Sequence, residues 1–300
     1  TYLQFFMGDE IFGHKIDLPN QNRLTGPFPG DERIVGSYLS NFIFLVFGYL
    51  LYKSKNNYKK ELLAFSVFIL IYTCIFLTGE RMAFILTSFG SLLLLLFNFK
   101  LFKKFSVLLI ILITILGFFT IKYDKVRARM INSTFEVLGF DTYYDDKNNN
   151  NLNFLDSHYG AHYLTAIEIF KDNKFFGSGA KTFRISCSNP EYANINSHNA
   201  FQRCSTHPHN YYLQILSETG FFGFFSFFLL ILYIFKYSIR HLNLRNPLHS
   251  SSLITLIVFL WPLKSSGNIL NNWYGVQFFY ILAIILILIH KKEFNIIEDN

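Results

Sequence analysis

The sequence predicts an all-α integral membrane protein of about seven spans, with a large, partly helical loop on one side. Three observations carry this. Of 300 residues, 51% are hydrophobic and only 16% charged, whereas soluble domains carry about 25% charged residues. Apolar runs close to the ~20 residues that a bilayer-spanning helix needs recur along the chain. Between them, basic residues gather in alternate short loops. Mean hydropathy is positive, +0.28, and 37 phenylalanines are too many for one soluble core.

The expected spans are 35–52, 62–78, 82–99, 105–121, 220–236, 251–265 and 274–290. The third and fourth are clear; the first and sixth are short or interrupted, and Pro262 is expected to kink the sixth or end it early. The basic loops orient them. Lys53, Lys55, Lys59 and Lys60 follow the first span, and Lys100, Lys103 and Lys104 follow the third. Lys236, Arg240 and Arg245 follow the fifth, and Lys291 and Lys292 the last. With seven spans all four groups fall on one side, which the positive-inside rule assigns to the cytoplasm. This distribution explains the net charge of +7 without nucleic acid, which would require one continuous basic face. The organisation read this way is an exported segment 1–34, four spans within 35–121, an exported loop 122–219, three spans within 220–290 and a cytoplasmic tail 291–300. The chain opens on Thr1 and shows no signal-peptide pattern, which suggests the C-terminal part of a longer protein.

Within the exported loop, Lys122–Arg129 is basic and is expected to prolong the fourth helix. Asp141–Asn153 is polar and Asn-rich, a composition that favours flexibility. Ala161–Asp172 places Leu164, Ile167 and Phe170 at amphipathic-helix spacing, and Gly177 and Gly179 mark a turn. Cys74 lies inside a span as a small apolar filler. Cys187 and Cys204 share the exported loop, where oxidation is permitted, and are expected to form a disulfide ahead of His207.

The most informative stretch runs from Ser205 through His207, Pro208, His209 and Asn210 to Gly220. Ser205 or Thr206 suits a helix cap and Pro208 a first turn. At 100° per residue Glu218 then falls opposite His209, so the two do not pair. Gly220 and Gly223 open the fifth span and allow close helix approach. A histidine in a first helical turn is kept neutral by the macrodipole and accepts a proton, while the free amides there attract phosphate. The plainer reading makes His207 and His209 interfacial residues. A zinc site drawing on His158, His162 or His198 is a third, but no metal-binding spacing is present.

The second feature is Thr78-Gly79-Glu80-Arg81 between two spans. Ionisable groups at a membrane edge are costly and so are functional candidates. Arg81 offers a planar fork of donors suited to phosphate; the plainer reading is an interfacial anchor with Glu80 as counter-ion. Arg184, after the glycine turn, is a further basic candidate. Arg203 is weaker, and the Arg127/Arg129 pair reads as a solvated basic face.

These segments resemble the O-antigen ligase and polymerase family of bacterial polysaccharide enzymes. His209-Asn210, nine residues and Gly220-Phe-Phe-Gly223 is similar to that family's histidine motif. Thr78-Gly-Glu-Arg81 resembles its arginine segment, and Phe175-Phe-Gly-Ser-Gly179 its glycine turn. Arg23-Leu-Thr-Gly-Pro-Phe28 and Val35-Gly-Ser-Tyr-Leu39 look alike as well. The resemblance implies a GT-C-like multi-helix bundle lacking several N-terminal spans here, in the bacterial inner membrane with its active face periplasmic. It implies an undecaprenyl diphosphate-linked glycan donor and a lipid A-core or lipid-linked glycan acceptor, with no metal or other cofactor. Carried over, Arg81 binds the donor diphosphate and His209 takes the acceptor proton, with Arg184, His162, His207, Asn210 and Glu80 contributing to substrate binding. Relatives carry a second arginine on the helix before the glycine turn, where this chain has His158 and His162; Arg184 or one of those histidines is the expected substitute. A ligase and a polymerase share these motifs. A transporter of the same lipid is the competing class, against which stands the placement of most ionisable residues at span ends.

Overall fold

The structure is a computed structural model that describes residues 1–8, 23–28, 33–54, 57–98, 102–137, 155, 157–197, 199–265 and 267–293. Asp141–Asn153, Lys55, Lys100 and His198 lie outside the described residues. Twelve α-helices order the described chain: α1 (Tyr2–Met7), α2 (Val35–Ser54), α3 (Tyr58–Leu77), α4 (Arg81–Phe97), α5 (Phe102–Lys122), α6 (Asp124–Arg127), α7 (Ser133–Val137), α8 (His158–Asp172), α9 (Phe183–Ser186), α10 (Tyr211–His241), α11 (Pro247–Phe259) and α12 (Asn272–Glu293). A π-helical turn at Ala128–Asn132 joins α6 to α7. Among the described residues there is no strand.

Among the described residues, five helical segments are long and apolar enough to cross a bilayer: Val35–Ser54, Tyr58–Leu77, Lys104–Lys122, Tyr211–His241 and Trp273–His290. The other two expected spans form shorter apolar helices, α4 with 17 residues and α11 with 13. At 1.5 Å per residue α11 reaches only ~20 Å, well short of a ~30 Å hydrocarbon core. It starts at Pro247, where Asn246 Oδ1 accepts the Leu248 N–H at 2.9 Å, and ends at Phe259, before Pro262. The chain is a multi-pass membrane protein.

The chain divides into two compact units. One comprises Thr1–Asp141, His241–Phe259 and Ile281–Asn300, the other Thr142–Arg240 and Leu260–Tyr280. In the first, α2 lies against α3, α4 and α11. Small residues set these approaches. A Cβ on Gly48 would come within 2.5 Å of Ser251 Cβ, and one on Gly90 within 2.5 Å of the Phe44 ring. Phe44, Phe47, Phe68 and Phe105 form a buried aromatic stack along α2, α3 and α5. The chain after α5 does not simply prolong it. A break at Tyr123 leads into α6 and the π turn, and Val126 and Met130 pack on Phe76 and Leu77 at the end of α3.

In the second unit, Ala166, Ile169, Phe183, Cys187 and Tyr192 form a small core, with Leu213 packed on it. Helix α8 starts where the Ser157 side chain accepts the Gly160 N–H at 3.1 Å. Its fully buried stripe is Ala161, His162, Thr165, Ala166 and Ile169, not the Leu164, Ile167, Phe170 stripe, which is half-buried. Small side chains allow the closer approach, so the more apolar face is left at the periphery.

Candidate functional site

The Arg81 corner is built in the first unit. Helix α3 ends at Leu77, and the Thr78 N–H closes the last turn on the Cys74 carbonyl. Gly79 then adopts φ +73°, a left-handed conformation that favours glycine. It turns the chain so that α4 can start at Arg81. Glu80, in the cap position, reaches back to the first turn of α2. Its Oε1 accepts the Gly36 N–H at 2.6 Å, and its Oε2 accepts the Ser37 N–H at 3.0 Å and the Ser37 hydroxyl at 2.7 Å. A carboxylate there satisfies N-terminal donors that no helical carbonyl can reach, and it complements the macrodipole. Gly36 makes room, since a Cβ would lie 2.5 Å from Thr78 Oγ1. Arg23 Nη2 stands 3.9 Å from Glu80 Oε2. Burial pushes the Glu80 carboxyl above the ordinary carboxylate range, opposed by Arg23 and by the Ser37 and Gly36 donors.

The carbonyls of this corner are also engaged. Leu24 N–H donates to Thr78 O at 3.1 Å, and Arg129 Nε to Gly79 O at 3.1 Å. Arg81 itself donates from Nη1 to the Ser133 carbonyl, at the end of the π turn. Arg127 and Arg129 therefore part company. Arg127 is exposed and paired with Asp124 at 2.6 Å, the solvated residue the sequence suggests. Arg129, two positions on and so on the opposite side of the turn, is half-buried against the corner.

The His209 segment is built in the second unit, and it differs from expectation at its start. Neither Ser205 nor Thr206 caps the helix, and Pro208 is not in its first turn. The cap is Asn210, whose Oδ1 accepts the Tyr212 N–H at 3.0 Å and the Leu213 N–H at 3.2 Å. Its Nδ2 donates to the Pro262 carbonyl at 2.7 Å, which selects this cap over its neighbours. His209 thus precedes α10 rather than lying in its first turn, and it holds a left-handed φ of +57°. Non-glycine residues adopt this region rarely, and such strain clusters at functional sites.

The His209 ring is enclosed by named neighbours. Ser205 Oγ lies 3.3 Å from its Nε2. The His207 ring is 4.4 Å away between centroids, the His162 ring 5.2 Å and the Tyr159 ring 5.3 Å. His162 is buried, and His207 Nδ1 sits 2.9 Å from the Thr206 hydroxyl. Four of the sequence-named residues, His162, His207, His209 and Asn210, are therefore brought together. Among the described residues no group of three histidine, cysteine or acidic side chains is placed to hold a metal ion.

Gly220 does more than open a span. Helix α10 runs from Tyr211 to His241 and is broken at Gly220, with φ 67° and ψ −166°. The break frees backbone groups that the glycine turn takes up. Ser178 N–H donates to Ser217 O (3.0 Å) and Gly179 N–H to Glu218 O (2.9 Å), while Phe221 N–H donates to Lys174 O (2.7 Å) and Phe222 N–H to Phe175 O (3.3 Å). Across this clasp Gly177 faces the backbone of Glu218 and Thr219, and Gly220 faces that of Phe175 and Gly177. Gly223 is an ordinary helical residue beside Thr219. The Glu218 carboxylate is the residue that sequence reasoning passed over. Buried, it accepts the Lys181 N–H at 2.9 Å, the Phe183 N–H at 3.3 Å and the Gln214 amide at 3.0 Å, fixing the segment that leads into α9. Arg184 is exposed on α9. Cys187 and Cys204 are joined by a disulfide with Cα atoms 5.2 Å apart, and Arg203 Nε donates to Cys187 O at 3.0 Å. Together these tie α9 to the segment entering His209.

A family model described as O-antigen ligase matches residues 65–228, a stretch that contains Arg81, Arg184, the glycine turn, His209 and the kink at Gly220. No curated protein matches the chain. With more than half of its length matched, this membrane protein belongs to the O-antigen ligase family.

Proposed function

We propose that the protein transfers a glycan from undecaprenyl diphosphate to an acceptor hydroxyl at the periplasmic face of the bacterial inner membrane. The family supports a ligase/polymerase-type membrane glycosyltransferase; the donor, acceptor and face are our reading. His209 is the general base. The acceptor oxygen attacks C1 of the reducing-end sugar, its proton passes to the imidazole, and the bond from C1 to the phosphate oxygen breaks with inversion. Arg81 holds the departing diphosphate, whose growing charge a guanidinium fork stabilises. His162, His207 and Asn210 set the His209 ring and its backbone, Arg184 offers a cation at the loop surface, and Glu80 positions Arg81 by anchoring its corner to α2. No metal is invoked.

The observation that carries this reading is the left-handed backbone of His209, held between a capped helix start and a disulfide-tied loop. The acceptor we propose is lipid A-core, as for a ligase; a second lipid-linked glycan, as for a polymerase, is the alternative. Purified protein given lipid-linked donor and each acceptor separates the two, by whether product remains on undecaprenyl diphosphate. Arg81→Ala and His209→Ala are each expected to cut turnover at least ~100-fold. Unchanged product from either variant refutes its assignment.

A further inference from the structure

Helix α10 changes character at its break. No charged side chain occurs between Glu218 and Lys236. At 1.5 Å per residue the stretch 219–235 covers about 26 Å, close to a ~30 Å hydrocarbon core. Along it Phe221, Phe222, Phe225 and Phe228 are exposed, as lipid-facing side chains are. Gly220 therefore stands at one edge of the hydrocarbon, and the more polar turns 211–219 lie outside it.

A second segment is pinned at the same edge. Lys174 O and Phe175 O accept the Phe221 and Phe222 N–H groups at 2.7 and 3.3 Å, so the chain leaving α8 runs beside the first residues of the apolar stretch. Phe175 is 63% exposed and Phe176 80%. Their rings lie 6.1 and 5.6 Å from that of Phe222, which meets Phe221 at 5.9 Å, and Phe221 stacks on Phe225 at 5.7 Å. Five phenylalanines thus form one exposed patch that runs from the loop onto α10 without a gap. Lys174, beside the patch, is exposed as well. A lysine next to aromatic rings suits the boundary between acyl chains and headgroups, where its ammonium reaches anionic lipid. Phe201 is comparably exposed, but it makes no ring contact among the described residues.

Water is a poor surrounding for such a patch, since two adjacent phenylalanine rings would forgo most of the transfer free energy that their area offers. The patch continues the surface of a membrane span, and lipid is what covers that surface. We propose that 173–177 is a membrane anchor, seated at the chain–headgroup boundary of the leaflet where α10 enters, with Phe175 and Phe176 among the acyl chains and Lys174 at the headgroups. The backbone bonds of the clasp carry this height to α10. The anchor thereby sets how far 211–219, and His209 ahead of them, stand from the lipid. It does not depend on the transfer reaction proposed above.

The test places the full chain in nanodiscs of phosphatidylcholine and phosphatidylglycerol whose acyl chains carry bromine either just below the headgroup or near the chain end. Bromine quenches tryptophan on contact, so Phe176→Trp and Phe228→Trp report depth. Each is read as the emission added to that of the wild type, which has Trp261 and Trp273. The added emission of Phe176→Trp is expected to fall at least about twofold with bromine below the headgroup, and clearly less with bromine at the chain end. Phe228, about 10 Å further along α10 than Phe221, should show the reverse order. Added emission of Phe176→Trp that escapes both bromines but yields to aqueous acrylamide puts the ring in water and overturns the proposal. Emission that escapes all three quenchers means that protein covers the ring, a second copy or another chain, and overturns it too. Stronger quenching from the chain end than from below the headgroup overturns the boundary placement. Should Phe176→Trp not fold, Phe175→Trp decides by the same criteria.

Discussion

Gly220→Ala is the sharpest test of how the chain positions α10, the helix that follows His209. Gly220 combines φ 67° with ψ −166°, a region essentially closed to residues with a side chain, at a cost of about 1–3 kcal/mol. Sterics add to this. A Cβ would sit 2.5 Å from Gly177 N and from Phe175 C and O, all backbone atoms that cannot rotate away. Overpacking of this kind costs about 1–3 kcal/mol more. The expected destabilisation is therefore about 2–6 kcal/mol, reached either by strain or by opening the four backbone hydrogen bonds of the clasp. Thermal unfolding of purified protein in one detergent measures it, with Gly117→Ala as control, because a Cβ there meets nothing within 4 Å. Opening the clasp also exposes amides of 178–179 and 221–222, which hydrogen exchange reads directly. A Gly220→Ala protein that unfolds with the wild type and keeps those amides protected refutes the reasoning.

Two further outcomes follow from the site. Cys187→Ser removes a cross-link over a sequence separation of 17 and is expected to cost about 3 kcal/mol on the chain-entropy view; the same loss should follow reductant in the wild type and be absent when reductant is added to the variant. Glu80, whose carboxyl is held above its ordinary range mainly by burial, contributes stability that is present below its unfolded pKa and lost as pH rises through its folded pKa. Across that window the wild type should lose stability relative to Glu80→Gln, measured as the difference between their unfolding temperatures, and a difference independent of pH refutes the shift. Glu80→Ala, which strips the donors of Gly36 and Ser37 of their acceptor, should be the least stable of the three at every pH.

The membrane class was legible because an apolar run long enough to span a bilayer has few other uses; the fourth expected span stands as α5, while the third, equally clear in sequence, forms the shorter helix α4 of 17 residues. Helix ends were read less well. Ser205, Thr206 and Asn210 are all capping residues within one short stretch, and the choice among them depends on a bond from Asn210 to Pro262, 52 positions away. The sixth span fell short because its length was counted through Leu260–Lys264, where the chain leaves the helix before Pro262. The buried stripe of α8 was missed for a different reason: periodicity locates the apolar face, but close approach is granted to Ala161, Thr165 and Ala166 because they are small. Arg81 stood out as a charge between apolar runs. Arg129 did not, since in sequence it is one of four basic residues in Lys122–Arg129, and only the fold separates it from Arg127.

Both candidate segments solve the same physical problem, and this explains why their motifs contain the residues they do. A helix start leaves several amides without partners, and a chain turning sharply into it needs a residue able to take positive φ. At the first corner Gly79 makes the turn, and Glu80 satisfies a different helix start, that of α2. At the second, Asn210 satisfies its own helix and the positive φ falls on His209 itself. Glycine would take that conformation at lower cost. The chain instead places an imidazole there and offsets the strain with Asn210, the ring contacts of Tyr159, His162 and His207, and a disulfide upstream. Glycine would relieve this strain, so the segment holds the imidazole in place at a cost. That cost supports the role we propose for His209 on grounds separate from the family match, although Lys181 holds a left-handed backbone as well.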